Sequence, residues 1–280
     1  MKIDSLSKYI EEIKKIEPKE DEILLFRGHS DIKYKLIPGI FRDNNELKEE
    51  SLCHDIMVDY SNEFNIKEHL STLVKMQHYG SPTRLLDVTK NMLIALFFAV
   101  EDCKDGNDIN NGEVIVFKIK KSDFLHHDSD KVLMLSCLPF LKIEDKRDLE
   151  KYCKDNKEHI IVDEDVAKKD SLKHLLHEIK REFPAFETCI ETNHLLKNYF
   201  VAVKKDNERI QKQDGAFIIF GLGDKTIPTI ETKHIKIDAS DKNDILRDLK
   251  LCNIDSSTVY PSYERRLLML NNKKLGSQSV

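Results

Sequence analysis

The chain has 280 residues, with 45 Lys and Arg against 50 Asp and Glu, a formal net charge of −5. That balance argues against a protein that lives wrapped on a phosphate backbone, while leaving room for a local basic groove. Apolar residues make up 40% and charged residues 34%, well short of a disordered composition, and nine Gly and seven Pro exclude collagenous and low-complexity classes.

The start, Met1-Lys2-Ile3-Asp4, carries no secretion-signal pattern. Residues 1–20 read as a polar amphipathic helix, with Ile3, Leu6, Tyr9, Ile10, Ile13 and Ile16 near helical spacing. The apolar run Ile23-Leu24-Leu25-Phe26 predicts a strand that ends in a turn at Gly28. Pro38-Gly39 breaks the next stretch, and helical patterns occupy 46–64 and 67–79, the second stopped by Gly80 and Pro82. A strand over Thr83–Val88 puts Thr83, Leu85, Asp87 and Thr89 on one face and Arg84, Leu86 and Val88 on the other. Asn91 N-caps a helix from Met92 to about Cys103 that is apolar nearly all round and should be buried. Its apolar run, Met92 to Val100, is the longest in the chain and about half of what a membrane-spanning helix needs.

Gly106 and Asn110-Asn111-Gly112 make a loop and turn before a strand over Glu113–Ile119. From 121 to about 198 the composition changes to Lys, Glu, Asp and His, with helices near 142–155, 170–182 and 186–198, an inserted helical layer or a small second domain. Strand character returns at Tyr199–Val203, Ala216–Phe220 and His234–Ile237, and helices near 241–251 and 262–271 close the chain. Strands flanking helical blocks give an α+β class. The six cysteines, Cys53, Cys103, Cys137, Cys153, Cys189 and Cys252, stand singly and read as reduced structural thiols of a soluble cytoplasmic protein with no membrane association.

Two stretches carry chemistry. In Phe26-Arg27-Gly28-His29-Ser30, an Arg at the end of an apolar strand beside Gly offers a fixed cationic fork to a phosphate or carboxylate; the plain alternative is a surface Arg in a turn. In Gln77-His78-Tyr79-Gly80-Ser81-Pro82-Thr83-Arg84-Leu85-Leu86-Asp87-Val88-Thr89, polar groups lie between two strongly apolar helices, so they either pair with one another or line a site. The structural alternative there is an Arg84–Asp87 pair with Thr capping. His126-His127-Asp128 lies in a charged loop, His174, His177 and Glu178 lack the His-Glu-x-x-His order, and Gly221-Leu222-Gly223 lacks the third Gly and the Lys of a phosphate loop. No metal site is expected.

The triplet Phe26-Arg27-Gly28, the Gln77–Asp87 motif and the helix segment Ala95-Leu96-Phe97-Phe98-Ala99 together resemble the FRG-domain family of bacteria and phages, named for its Phe-Arg-Gly triplet. Met134–Pro139 and Asn207–Phe217 fit as well, so the resemblance runs from about 20 to 260. Val88 stands where the family commonly has Trp, Met92 where a Pro usually opens the helix, and Tyr260-Pro261-Ser262 where it has an acidic Phe-Pro-Asp-like turn. The implied organisation is an N-terminal helix at 1–20, an FRG domain at 21–260 with its helical insertion at about 121–198, and a C-terminal helix and tail at 261–280.

A more distant resemblance, to mono-ADP-ribosyltransferases, rests on the order Arg27, then Thr83–Thr89 running into Phe97-Phe98-Ala99, then Glu208–Phe217. It implies an ADP-ribosyltransferase-like split β-sheet core with flanking helices, and NAD as substrate. By that resemblance Arg27 and Gly28 would hold a phosphate or ribose, Thr89 would brace the second strand with Thr83, and Gln213 or Asp214 would face the ribose in place of the expected Glu. Tyr79 would stack on nicotinamide, His78 would orient the acceptor, and Arg84 and Asp87 would complete the binding set. The implied function is transfer of ADP-ribose to a macromolecular acceptor (RNA, DNA or protein) by a toxin or effector of a toxin–antitoxin or phage-defence system, with a cognate antitoxin as partner. The alternatives are a non-catalytic phosphate- or nucleotide-binding sensor and, third, a nuclease.

Overall fold

A computed structural model describes residues 3–62, 64, 68–101, 110–225, 227 and 231–260. Helix α1 (Leu6–Lys14), capped by Ser5, leads into strand β1 (Glu22–His29). Then come α2 (Glu49–Asp59), α3 (His69–His78), β2 (Leu85–Thr89), α4 (Met92–Val100) and β3 (Gly112–Lys120). The middle of the chain supplies β4 (Phe124–His126), α5 (Asp130–Cys137), α6 (Ile143–Asp155), β5 (Ile160–Ile161), α7 (Asp163–Lys168), α8 (Asp170–Glu182), β6 (Ile190–Glu191) and α9 (Thr192–Leu196). The last part holds β7 (Tyr199–Ala202), α10 (Glu208–Gln213), β8 (Gly215–Ile219), β9 (Glu231–Ile237), α11 (Lys242–Leu251) and α12 (Ser256–Val259).

The result is an α+β fold around a seven-stranded sheet in the order β4-β7-β8-β2-β1-β3-β9, antiparallel except for the parallel β4–β7 pair. Its two halves are unequally joined. β1 pairs with β3 along its whole length and β2 with β8 along its whole length, but β1 and β2 meet at a single register position, Phe26 opposite Thr89. Beyond that point the two strands diverge, and the space between them is the candidate site.

Alternation along the strands sorts their side chains onto two faces. Leu25, Leu86, Val88, Ile115, Phe117 and Ile218 fill one face, closed by Leu36 and Phe41 from the segment after β1. On the other face Phe26, Val114, Val116 and Ile235 pack beneath α1, α4 and α11. In the second half of the sheet, Leu85, Val201, Phe217 and Ile219 pack beneath α3, α5, α6 and α8. The 121–198 segment therefore shares a core with the sheet, and β4 is that sheet's edge strand.

Helix α4 is buried as its composition requires, and two glycines let it lie against the strands. A β-carbon on Gly28 would come within 2.0 Å of the Ala95 carbonyl oxygen, and one on Gly112 within 2.1 Å of that of Ala99. The Phe-Arg-Gly triplet thus needs its glycine for helix packing, whatever else it does.

Several expectations are corrected. The N-terminal helix covers only Leu6–Lys14, because Pro18 and the residue before it disfavour helix. β1 does not turn at Gly28 but continues to His29, paired with Val114 and Glu113. The helix expected at 46–64 is α2 alone, preceded by a 3-10 turn after Asn44 in the left-handed region. The helix expected at 186–198 shrinks to α9, since Ile190–Glu191 is held extended by antiparallel pairing with Ile160–Ile161. The helix near 262–271 and the 261–280 tail lie outside the described residues. Cys53, Cys137 and Cys153 are buried free thiols, whereas Cys189 and Cys252 are exposed. No helix among the described residues is long and apolar enough to cross a membrane.

Candidate functional site

Where β1 and β2 part, a pocket of about 310 Å³ opens between the helices that cover the two halves of the sheet. Its floor is Phe26–His29 of β1, Asp87–Thr89 of β2 and Gly215–Phe217 of β8; Arg42, Phe98, Glu101, Arg209, Gln213 and Tyr260 stand around it. Three guanidinium groups, from Arg27, Arg42 and Arg209, therefore converge on one cavity from separate elements.

Arg27 takes over where backbone pairing stops. Its Nη1 donates to the Asp87 carbonyl oxygen at 2.6 Å, its Nε donates to His29 Nε2 at 3.0 Å, and the Asp87 carboxylate lies 3.7 Å away. Burial, with Arg42 adding like charge, holds the Arg27 guanidinium below its usual pKa, and Asp87 offsets only part of this. His29 is driven down to about 4, first by burial and then by Arg27, against the opposing pull of Glu113. It is therefore neutral at pH 7. With Nε2 accepting from Arg27, its ring proton sits on Nδ1, which faces Glu113 Oε1 at 3.3 Å. Glu113, itself buried, also faces His234 Nδ1 at 2.9 Å, so a polar chain runs from Arg27 through His29 and Glu113 to β9.

Aromatic rings form the other wall. The Tyr260 ring lies 6.1 Å from that of Phe98, edge to face, with the Arg209 guanidinium 5.5 Å from its centroid. Its hydroxyl donates to Glu101 Oε2 at 2.6 Å. A cationic cleft with aromatic faces is suited to a phosphorylated ligand that carries a flat ring.

The residues singled out in the sequence divide sharply. Arg27, Gly28, Asp87, Thr89 and Gln213 all line the pocket. Thr89 Oγ1 donates to the Gln213 carbonyl at 2.6 Å and accepts from the Asn91 amide, clasping β2 to the α10–β8 turn. The Gln213 amide donates to the Val259 carbonyl at 3.1 Å. Asp214 caps α10 with φ 45° and pairs with Lys205, outside the pocket lining.

Thr83 is buried outside it too, donating to Gln77 Oε1, while Gln77 in turn donates to Asp87 Oδ2 at 2.7 Å. His78 stacks on Tyr79 at 5.2 Å and lines a second cavity of about 330 Å³, which shares Arg209 with the first. Tyr79 is 62% exposed and lines neither.

Arg84 is the clearest correction. It does not pair with Asp87; it makes a bidentate contact to Glu49, with Nε at 2.9 Å and Nη2 at 2.5 Å, and donates to the Phe220 carbonyl. Lys146 Nζ joins the same carboxylate at 2.6 Å. Burial pushes the Glu49 carboxyl up, but Arg84 and Lys146 outweigh it and hold it below the ordinary value. This cluster is part of the interior.

Arg42, Arg209, Glu101 and Tyr260 were not among the residues read from the sequence as site candidates. Each is a single residue in a different part of the chain with no local pattern. Among the described residues, no group of three or more His, Cys, Asp or Glu side chains could hold a metal ion.

Residues 22–108 match the family model of the FRG domain, a span that holds the Phe26-Arg27-Gly28 triplet, the Gln77–Asp87 motif and α4. No curated protein and no solved structure matches the chain.

Proposed function

The chain carries an FRG domain at residues 22–108, and on that premise we propose that it is an NAD-dependent ADP-ribosyltransferase acting on a macromolecular acceptor. The observation that carries the reading is the convergence of Arg27, Arg42 and Arg209 with the Phe98 and Tyr260 rings at the parting of β1 and β2. A pyrophosphate gives these guanidinium groups an anionic partner through charge-assisted hydrogen bonds, and the aromatic wall takes a nicotinamide or adenine ring. Cleavage of the nicotinamide–ribose bond passes through an oxocarbenium-like centre, as in other glycosyl transfers. In this reading Arg27 holds the phosphate end, His29 fixes the guanidinium plane, and the Thr89 clasp keeps β2 and α10 in register around the ribose. No metal is required. The split of the sheet between β1 and β2 supports an ADP-ribosyltransferase-like core; the toxin–antitoxin or phage-defence setting and the cognate antitoxin rest on the family resemblance alone.

One observation favours a second reading, a nucleotide-binding sensor without turnover. The two groups expected to face the ribose are otherwise engaged, Gln213 with Val259 and Asp214 with Lys205. A single experiment separates the readings. The purified protein is incubated with isotopically labelled NAD, total bacterial RNA and lysate, and released nicotinamide and label in each fraction are measured. Nicotinamide release that Arg27→Ala abolishes, in a variant with an unchanged melting curve, supports the transferase, and the labelled fraction identifies the acceptor class. NAD binding without release supports the sensor.

A further inference from the structure

Glycosyl transfer calls for a negative group near the ribose, and neither of the groups expected from the sequence is free to serve. Among the described residues, the pocket lining contains two carboxylates, Asp87 and Glu101. Asp87 is engaged by Gln77 Nε2 at 2.7 Å and lies 3.7 Å from Arg27, so its charge is spent at the phosphate end.

Glu101 sits at the opposite wall, as the residue that ends α4, its backbone N–H donating to the Phe97 carbonyl. A carboxylate at a helix C-terminus is placed against the macrodipole, whose negative end favours cations there. The arrangement works against the isolated protein and in favour of any positive charge that develops beside it. The contact with Tyr260 fixes one oxygen: the phenol donates to Oε2 at 2.6 Å, and the buried ring is held between Phe97, Phe98 and Arg209.

We propose that Glu101 is the catalytic carboxylate of the pocket and Tyr260 its positioning residue, an inference that rests on the transferase reading above. In the step, the bond between ribose C1′ and the nicotinamide nitrogen breaks, and its electron pair leaves with the pyridinium, which departs as neutral nicotinamide. The Glu101 carboxylate and the negative end of α4 offset the positive charge left on the ribose. An acceptor oxygen or nitrogen, or water, then bonds to C1′ and gives its proton to Glu101, which returns it to solvent. The carboxylate thus comes from the end of the helix after β2, and the late β8 turn serves only to brace β2.

The test uses the full chain and two readouts, ADP-ribose affinity by calorimetry and nicotinamide release from NAD. Glu101→Gln is expected to lower kcat by a factor on the order of 100 while changing ADP-ribose affinity less than about threefold. Tyr260→Phe, which keeps the ring and its stacking, is expected to lower kcat about tenfold with KM unchanged; a purely packing role would leave kcat alone. Nicotinamide release at the wild-type rate by Glu101→Gln, or its loss in Gln213→Ala or Asp214→Asn but not in Glu101→Gln, overturns this assignment and leaves the transferase reading standing. A wild-type protein that neither binds ADP-ribose nor releases nicotinamide overturns both.

Discussion

Arg27 and Arg84 lie at the two ends of the motif-bearing region, one on β1 and one just before β2, and the molecule treats them in opposite ways. Arg84 is buried with its charge answered twice over its own plane: a bidentate bond to Glu49, which Lys146 also holds, and a carbonyl from Phe220. Arg27 faces a cavity, bonded to a neutral imidazole and a carbonyl with the Asp87 carboxylate 3.7 Å away; burial, with Arg42 adding like charge, depresses its pKa further than Asp87 restores it. A buried cation that is fully paired is part of the scaffold; one left short of anions beside a cavity is prepared for a ligand. The histidines repeat the contrast. Burial disfavours the charged form of both His29 and His69, yet beside Arg27 the first falls to about 4, whereas hydrogen bonds to Cys137, Glu178 and Glu182 raise the second to about 11.

The contrast breaks most visibly at Arg84. Arg84→Ala leaves Glu49 buried with Lys146 but without its bidentate guanidinium partner, and a loss of about 3–5 kcal/mol in urea unfolding is expected. A loss under about 1 kcal/mol would mean that the cluster is not a structural pair. Next comes pH. Above about 6.5 His29 is neutral in both the folded and unfolded chain; between 6.5 and 4 only the unfolded chain takes up the proton, so stability falls with pH through that window, by about 3 kcal/mol in total. His69 has the opposite sign: its contribution is complete below about 6.5 and is lost as pH rises through about 11. Urea midpoints at pH 7 and 5 for the wild type and His29→Gln check the first, since the variant should lose most of the slope.

Gly28→Ala is expected to cost about 1–3 kcal/mol, because its methyl group meets the backbone of α4 and the helix must lift off β1. A melting temperature unchanged within error would show that the triplet's glycine serves the ligand and not the helix. The smallest expected effect on stability is at Arg27 itself. Arg27→Gln relieves its repulsion with Arg42 while losing its bonds to His29 and Asp87, for a net change within about 1 kcal/mol. It should nevertheless weaken ADP-ribose binding about tenfold or more. Loss of stability in place of affinity would put Arg27 in the same class as Arg84.

Local pattern carried far in this chain, and it stopped where partners are chosen across the fold. The helices at 143–155 and 170–182 match their amphipathic periodicity to within a residue, and the face assignment of Leu85, Leu86 and Val88 agrees with the two separate core clusters they enter. Arg27 was legible because a strand, a cation and a glycine are adjacent in sequence. The partner of Arg84 was not, because Glu49 lies 35 residues upstream at the start of α2 and Asp87 is the nearer acid by sequence. Arg42, Arg209, Glu101 and Tyr260 reach the pocket from four separate places, and no window of sequence contains two of them. The helix expected at 186–198 failed for a different reason: pairing with Ile160–Ile161 rewards the extended form of residues that a helical period alone would accept.

The single pairing of Phe26 with Thr89 gives the sheet a seam. Under mechanical load, strands tied by a full ladder share the force among many hydrogen bonds, but here the line between the β1-β3-β9 and β2-β8-β7-β4 halves has one backbone register and the Arg27 side chain to carry it. Pulled across its strands, the sheet would tear at the floor of the pocket before it tore anywhere within either half.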